Sequence, residues 1–312
     1  MKPSLIPKTY DIDWITVSIN CFLLYGFAAA SLIIPNFIEV VPRGFFCDDD
    51  SIRYNYRPDT ISDFVLVAYN LALNIITILV VELYRMFKIQ RIIPNSNHRW
   101  RKGDIRILVI RFATFFGYSQ IGFLVNVALF TAIKHMVGRL RPHFLDVCKL
   151  ANDTCADANS QHRYIIDYKC NGDPALVLEG RKSFYSGHAA LSFYSAVWSI
   201  LYIQARFSNI LNNSVFVPII QTLILMGAFE ISLSRITDNQ HHWSDVSVGF
   251  FIGTIIAIYA CTFWNEIFKN NTIEVDQTLL IISRRDSKIE SRPEASRNLE
   301  IDRNGVRVAT KL

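Results

Sequence analysis

The stretch SRITDNQHHWSDV, residues 234–246, puts an arginine, two adjacent histidines and two aspartates into a short connection between apolar runs. In a helical register His241 and Asp245 lie four residues apart on one face, so the carboxylate can accept from one ring nitrogen and leave the other free as a nucleophile. His242, three residues from Asp245, competes for the same carboxylate. Arg235 supplies a planar guanidinium fork of the shape that grips phosphate oxygens. A histidine and an aspartate at this spacing also make an ordinary surface pair, so the pair acquires chemical meaning only from what converges with it.

Two further segments supply that company. KHMVGRLRPHF, residues 134–144, brings Lys134, Arg139 and Arg141 to the end of an apolar run, where Gly138 permits close backbone approach and Pro142 stops a helix. Snorkelling explains one cation at a helix end, but three less well. GRKSFYSGHAALSFYSA, residues 180–196, opens another apolar run. Ser183 or Ser186 can cap the helix that starts there, and its free N–H groups, together with Gly187, form an anion site. His188 falls in the first turn, directed at the same anion.

Positioning these groups falls to apolar helices. Of the 312 residues, 51% are hydrophobic and only 19% charged, and the mean hydropathy is +0.23, too apolar for an ordinary soluble domain. The net charge of +5 is small and the basic residues are interleaved with apolar runs, which argues against a nucleic-acid partner. A hydrocarbon core of roughly 30 Å takes about 20 helical residues to cross. Runs 14–34, 64–81, 112–133, 189–205, 215–233 and 246–264 qualify, the fifth interrupted only by Glu230. The predicted fold is all-α: a polytopic bundle of six transmembrane helices spanning 14–266, after a cytoplasmic N-terminus (1–13) and before a charged cytoplasmic tail (267–312) predicted to be mostly disordered. The first run follows a polar segment and lacks a small-residue cleavage site, so it reads as a span rather than a signal peptide. No internal repeat is present.

Orientation follows from lysine and arginine. Residues 84–111 carry Arg85, Lys88, Arg91, Arg99, Arg101, Lys102, Arg106 and Arg111 against a single acid, Asp104, which places that connection and both termini in the cytoplasm. Segments 35–63, 134–188 and the connection after the fifth run then lie outside, with the active site at the extracytoplasmic helix ends. Cys47, Cys148, Cys155 and Cys170 fall in the two long outer segments, where one or two disulfides of unspecified connectivity can form, while Cys21 and Cys261 fall in apolar runs. Asn152 begins a glycosylation acceptor in an outer segment; the acceptors at Asn212 and Asn270 fall on the inner side. Glu230, an intramembrane carboxylate about one turn below Arg235, is expected to pair with Arg235 or Lys134.

Topology joins the three reactive segments on one side of one membrane. No closed zinc ligand set is present, and the nearby carboxylates are too few and scattered to hold a pair of magnesium ions, so neither a metal nor a cofactor is expected. The protein's own cations take the place of a metal clamp. This combination suggests phosphoryl transfer, with lysine and arginine neutralising charge and histidine as the nucleophile.

KHMVGRLRP fits Lys, six residues, Arg-Pro; YSGH fits Pro-Ser-Gly-His with Tyr185 in the proline's place; SRITDNQHHWSD fits Ser-Arg, five residues, His, three residues, Asp. In this order the three resemble the type 2 phosphatidic acid phosphatase superfamily, and within it the animal lipid phosphate phosphatases, as do RGFFCDDDSIRYNYRPDTIS in the first outer segment and EGRKSFYSGHA. The likeness covers about residues 15–265, and the replaced proline contributes no catalytic atom. The resemblance implies that His241 attacks phosphorus with Asp245 orienting it, and that His188 protonates the departing lipid oxygen and then activates water. It implies that Lys134, Arg141, Ser186, Gly187 and Arg235 hold the phosphate oxygens, without magnesium. The implied partners are membrane phospholipid phosphates, namely phosphatidate, lysophosphatidate, sphingosine 1-phosphate or ceramide 1-phosphate. The implied location is the plasma membrane with the site outward, or an internal membrane with the site lumenal. A homo-oligomer is compatible with the sequence, which does not fix the oligomeric state. The rival class is a phospholipid-binding or transport protein, which would have no need for both histidines. The first-segment likeness disfavours a soluble phosphate ester, and six surrounding spans disfavour a vanadium-dependent peroxidase.

Overall fold

The computed structural model describes residues 14–92, 102–151, 155, 162–206 and 215–264. The N-terminal segment 1–13, the tail 267–312 and the acceptors at Asn152, Asn212 and Asn270 lie outside the described residues. Six long helices correspond to the six apolar runs: α1 (Trp14–Ile33), α2 (Asp63–Ile92), α3 (Lys102–Val137), α6 (Gly187–Arg206), α7 (Phe216–Thr237) and α8 (Trp243–Tyr259). Two short helices, α4 (Phe144–Cys148) and α5 (Pro174–Glu179), lie in the segment between α3 and α6. Helices α2 and α3 outrun their apolar stretches because the residues beyond, such as Glu82, Leu83, Arg85 and Met86, are good helix formers and nothing there breaks the turn.

Among the described residues four helical segments are long and apolar enough to cross a membrane: Asp63–Phe87, Ile105–Val137, Phe216–Thr237 and Trp243–Phe263. Helix α1 contributes a shorter apolar section, Ser18–Ser31. Helix α6 differs in kind. It packs against α8, α7, α2 and α3, and nearly every side chain along it is buried. Protein rather than lipid surrounds it, so it tolerates polar groups that find partners on its neighbours. Ser192 meets Ser232 of α7 at 3.1 Å, Tyr194 donates to the Ser119 carbonyl of α3 at 2.7 Å, and Tyr202 donates to Glu82 of α2 at 2.8 Å. Those same polar residues lower its hydropathy, so length and apolarity alone do not single it out.

The α6–α8 contact is made backbone to backbone. A Cβ on Gly249 would stand 2.6 Å from the Ser186 carbonyl oxygen, and one on Gly253 would collide with the carbonyl of Ala190. Small residues at such a contact let two helix axes approach closely. At the far end of α6, the Arg206 Nε donates to Glu82 at 2.6 Å, with Arg111 at 3.5 Å, so a buried ion cluster ties α2, α3 and α6 together.

Over the opposite end lie the two segments joining α1 to α2 and α3 to α6. Both contain a two-residue strand, β1 (Phe45–Phe46) and β2 (Tyr164–Ile165), paired antiparallel with Phe45 opposite Ile165. Cys47–Cys155 cross-links the two segments and Cys148–Cys170 closes a loop within the second, so all four of the loop cysteines pair, while Cys21 and Cys261 remain free thiols. Phe45, Phe144 and Tyr168 pack edge-to-face beneath. Pro174 starts α5, and the Asp173 carboxylate caps it by accepting from the Ala175 and Leu176 amides at 2.8 and 3.3 Å.

Candidate active site

The ends of α3, α6, α7 and α8 meet beneath this cap, and Asp245, fully buried in the first turn of α8, is the most heavily bonded group there. Its Oδ1 receives Arg139 Nη1 at 2.5 Å. Its Oδ2 accepts from Ser183 Oγ at 2.6 Å, from the His242 amide at 3.1 Å and lies 3.2 Å from His242 Nδ1. Ser186 donates its amide to the Asp245 carbonyl at 3.1 Å. One residue thus joins the α3 end, the α6 entry and the α8 start.

The shared helical face expected for His241 and Asp245 is not what the chain adopts. Helix α8 begins at Trp243, so His241 sits before the helix, and its Nδ1 is 3.9 Å from Asp245 Oδ2, an ionic approach rather than a hydrogen bond. His242 is the nearer partner of that carboxylate, as its three-residue spacing allowed. What holds His241 is the turn leaving α7: the amides of Gln240 and His241 both donate to the Arg235 carbonyl, at 3.0 and 3.1 Å. His241 is 2% exposed, and its Nδ1 has no hydrogen-bond partner among the described residues. Burial holds its pKa well below the usual histidine range, against the pull of Asp245 and with the help of the Arg141, Lys134 and Arg235 charges. Burial thus favours the neutral ring, the form that carries a nucleophilic lone pair.

Those three cations come from three different places. Arg141, just beyond α3, is buried and bonds Gln240 and Glu179 of α5. Arg235, in the last turn of α7, donates to Asp59 at 3.0 Å and lies 4.0 Å from Asp238. Among the described residues its Nε and Nη1 make no hydrogen bond although the side chain is buried, the state of a guanidinium that still has capacity for an anion. Lys134, in the last turn of α3, lies over the Phe130 ring at 5.5 Å. Neither it nor Arg235 pairs with Glu230, contrary to expectation: five residues along α7 rotate Glu230 about 140° away from Arg235. Arg139, read as one more cation of the set, is committed to Asp245 and Ser244 instead.

His188 follows Gly187 in the first turn of α6 and is largely buried. Its Nε2 donates to the Ile61 carbonyl at 3.0 Å, and Asp63 stands 3.8 Å away. Ser186 precedes the helix and accepts from the Ala189 amide at 3.4 Å, so of the two serines that could cap, Ser186 does so and Ser183 serves Asp245. Gly187 faces the Phe130 ring, where a Cβ would stand at 3.2 Å. The Phe184–Tyr185 peptide just before is cis.

The structure thus brings Lys134, Arg141, Ser186, Gly187, His188, Arg235, His241 and Asp245 to one end of the bundle. Sequence reasoning missed the carboxylates Asp59 and Glu179 that sit on Arg235 and Arg141, and the role of Ser183. All three lie in segments already quoted, Asp59 in RGFFCDDDSIRYNYRPDTIS and Glu179 and Ser183 in EGRKSFYSGHA, but their partners are 38 to 176 residues away in the chain, and no spacing within a segment names them. Among the described residues no three His, Cys, Asp or Glu side chains are grouped to hold a metal ion.

The model of the PAP2 superfamily matches residues 113–269, which contain all three motifs. Phospholipid phosphatase homolog 1.2 homolog of Caenorhabditis elegans is 57% identical over 268 residues, 86% of this chain and 78% of the relative. Phospholipid phosphatase 2 of Homo sapiens is 31% identical over 82% of this chain and 85% of its own length, and phospholipid phosphatase 1 of Mus musculus is 33% identical over 83% and 87%. No solved structure matches the chain. With apolar helices long enough to span a bilayer and this set of relatives, the chain belongs to the PAP2 superfamily and, within it, to the animal phospholipid phosphatases, integral membrane hydrolases of lipid phosphates.

Proposed function

We propose that this enzyme hydrolyses the phosphomonoester of phosphatidate, lysophosphatidate, sphingosine 1-phosphate or ceramide 1-phosphate through a phosphohistidine on His241, without magnesium. The observation that carries the reading is the convergence of a buried, neutral His241, a second histidine and three cations at one end of an apolar bundle. A site there takes a headgroup while the acyl chains stay in lipid.

The neutral His241 nitrogen attacks phosphorus as the ester P–O bond breaks. His188, carrying a second ring proton once the negative phosphate lies beside it, gives one proton to the departing oxygen, and the neutral ring remains as the lipid alcohol leaves. Water then attacks the phosphohistidine, passing a proton to His188 as the P–N bond breaks, which frees inorganic phosphate and restores both rings. Lys134, Arg141 and Arg235, with Ser186 and Gly187 at the α6 start, stabilise the charge on the three equatorial oxygens. Asp245 stabilises the developing imidazolium of His241 by its charge and, through Ser183, Arg139 and His242, fixes the α8 start. Before His188 can serve as acid, the Ile61 carbonyl must give up its hydrogen bond.

The six long helices span the membrane with the basic connection 84–111 inside, so this end faces outward at the plasma membrane or lumenally in an internal one. An epitope placed in 84–111 should stay inaccessible on intact cells; accessibility would overturn the orientation. The deciding assay is phosphate release from phosphatidate and lysophosphatidate in detergent micelles with EDTA, native protein against His241→Ala. Release lost in the variant supports the mechanism. Release that needs added magnesium, or that survives in the variant, refutes it.

A further inference from the structure

Arg139 stands apart from its neighbours Lys134 and Arg141, and the reason begins at the end of α3. That helix closes at Val137, and Gly138 takes a left-handed turn (φ +58°) that a side chain would strain. The chain leaves the turn with Arg139 directed at the α8 start, its Nη1 2.5 Å from Asp245 Oδ1 and 2.9 Å from Ser244 Oγ. The Arg139 carbonyl accepts the Ser183 amide at 2.9 Å, and the Ser183 hydroxyl donates to Asp245 Oδ2 at 2.6 Å. The α3 exit and the α6 entry thus form one unit that grips the carboxylate by both oxygens.

That grip bears on the nucleophile. Oδ2 also receives the His242 amide at 3.1 Å and lies 3.2 Å from His242 Nδ1, so its acceptor capacity is taken up. His241 Nδ1 is left at 3.9 Å, buried and with no hydrogen-bond partner among the described residues. Burial and the charges of Arg141 and Lys134 from the α3 end and of Arg235 from α7 oppose a proton on this ring, whereas Asp245 of α8 favours one. How strongly Asp245 acts depends on what covers its oxygens. A guanidinium in contact with Oδ1 offsets its charge, and a hydroxyl on Oδ2 competes with the imidazole N–H for the same lone pairs.

We propose that Arg139 and Ser183 are positioning residues for the nucleophile, acting through Asp245: they take up its oxygens and offset its charge, which keeps His241 unprotonated and ready to attack. As the bond to phosphorus forms, the ring gains positive charge, and the carboxylate, ionised beneath Arg139, stabilises that charge without taking a proton. This rests on the phosphohistidine reading above and adds to it two residues that touch neither phosphate nor nucleophile.

The test is kcat/KM against pH for lysophosphatidate in detergent micelles, comparing native protein with Arg139→Gln, Arg139→Lys and Ser183→Ala. Uncovering Asp245 favours the proton on His241, so the acid limb of Arg139→Gln should move to higher pH by about one unit, the low end of what an opposite charge does to a close neighbour. Ser183→Ala, which removes one hydroxyl, should move the limb in the same direction, and Arg139→Lys, which keeps the charge, should bring it back toward native. Ionisation of the substrate is common to all four proteins, so a difference between them belongs to the enzyme. A lower plateau with the acid limb unmoved in both Arg139→Gln and Ser183→Ala overturns the proposal and reduces the two residues to structural ties, with the phosphatase reading intact. Should Arg139→Gln fail to fold, the Ser183→Ala limb decides alone. Native protein that releases no phosphate overturns both.

Discussion

Asp59 Oδ1 lies 3.0 Å from Arg235 Nη2, so a loop carboxylate rests on a cation that the mechanism assigns to phosphate. The same loop is fastened at neighbouring points: Thr60 donates its amide and hydroxyl to Asp238 at 2.8 and 2.7 Å, and the Arg57 carbonyl accepts from Gln240 at 2.8 Å. A carboxylate on a guanidinium is a weaker stand-in for a phosphate dianion, and the two compete for the same donors. Asp59→Asn should therefore tighten inhibition by inorganic phosphate severalfold, read as a lower inhibition constant. Weaker inhibition would mean that Asp59 holds Arg235 in place rather than competing for it.

Two adjacent histidines approach Asp245, and the nearer one is not the proposed nucleophile. His242→Gln removes one contact to a carboxylate still held by Ser183, Arg139 and the 242 amide, so turnover should fall only about tenfold. His241→Gln should abolish it. Rapid acid-free quenching with a phosphorus-labelled substrate should leave label on the His242 variant and none on the His241 variant; the reverse would move the nucleophile to His242.

The depressed pKa of His241 has a definite sign in pH space. Unfolded, the ring protonates near about pH 6.5; folded, it binds a proton only at lower pH because burial opposes the charge. The unfolded chain thus carries more protons in that window, so this contribution to stability is complete above the ordinary histidine pKa and is lost as pH falls below it. Thermal melts between pH 5 and about 7.5 should show a slope that His241→Gln reduces. The acid limb of kcat/KM should likewise fall below the range of an exposed histidine.

Gly253→Val should be among the most damaging changes in the helices, since the new side chain meets the Ala190 backbone. Overpacking of this kind costs about 1–3 kcal/mol or more, and here it also pries the α8 start from the α6 start. Gly117→Ala, which enters open space, should leave the melting temperature near native and serves as the control.

The helices were legible because apolar runs of membrane length survive in the sequence whatever the packing, and the motif residues because their spacing encodes which helix ends they occupy. Helix α6 shows the limit: its serines and tyrosines lower its apolarity, yet they mark the centre of the bundle, where Ser192, Tyr194, Ser199 and Tyr202 find partners on α7, α3 and α2. The His241–Asp245 register was misjudged because helical spacing was applied across a helix start at Trp243. Asp59 on Arg235 and Glu179 on Arg141 were invisible for a different reason, since nothing local distinguishes a loop carboxylate that will find a cation from one that will face solvent.

The Cys47–Cys155 bridge also imposes an order on biosynthesis. Its two halves are 108 residues apart in the chain, so the loop carrying Asp59 is synthesised well before the cysteine that tethers it. Arg235, Asp238 and Gln240, on which that loop is seated, come later still than Cys155, so both halves of the bridge exist before the loop's docking partners do. The bridge can therefore restrain the roof before α7 and α8 supply the groups it covers.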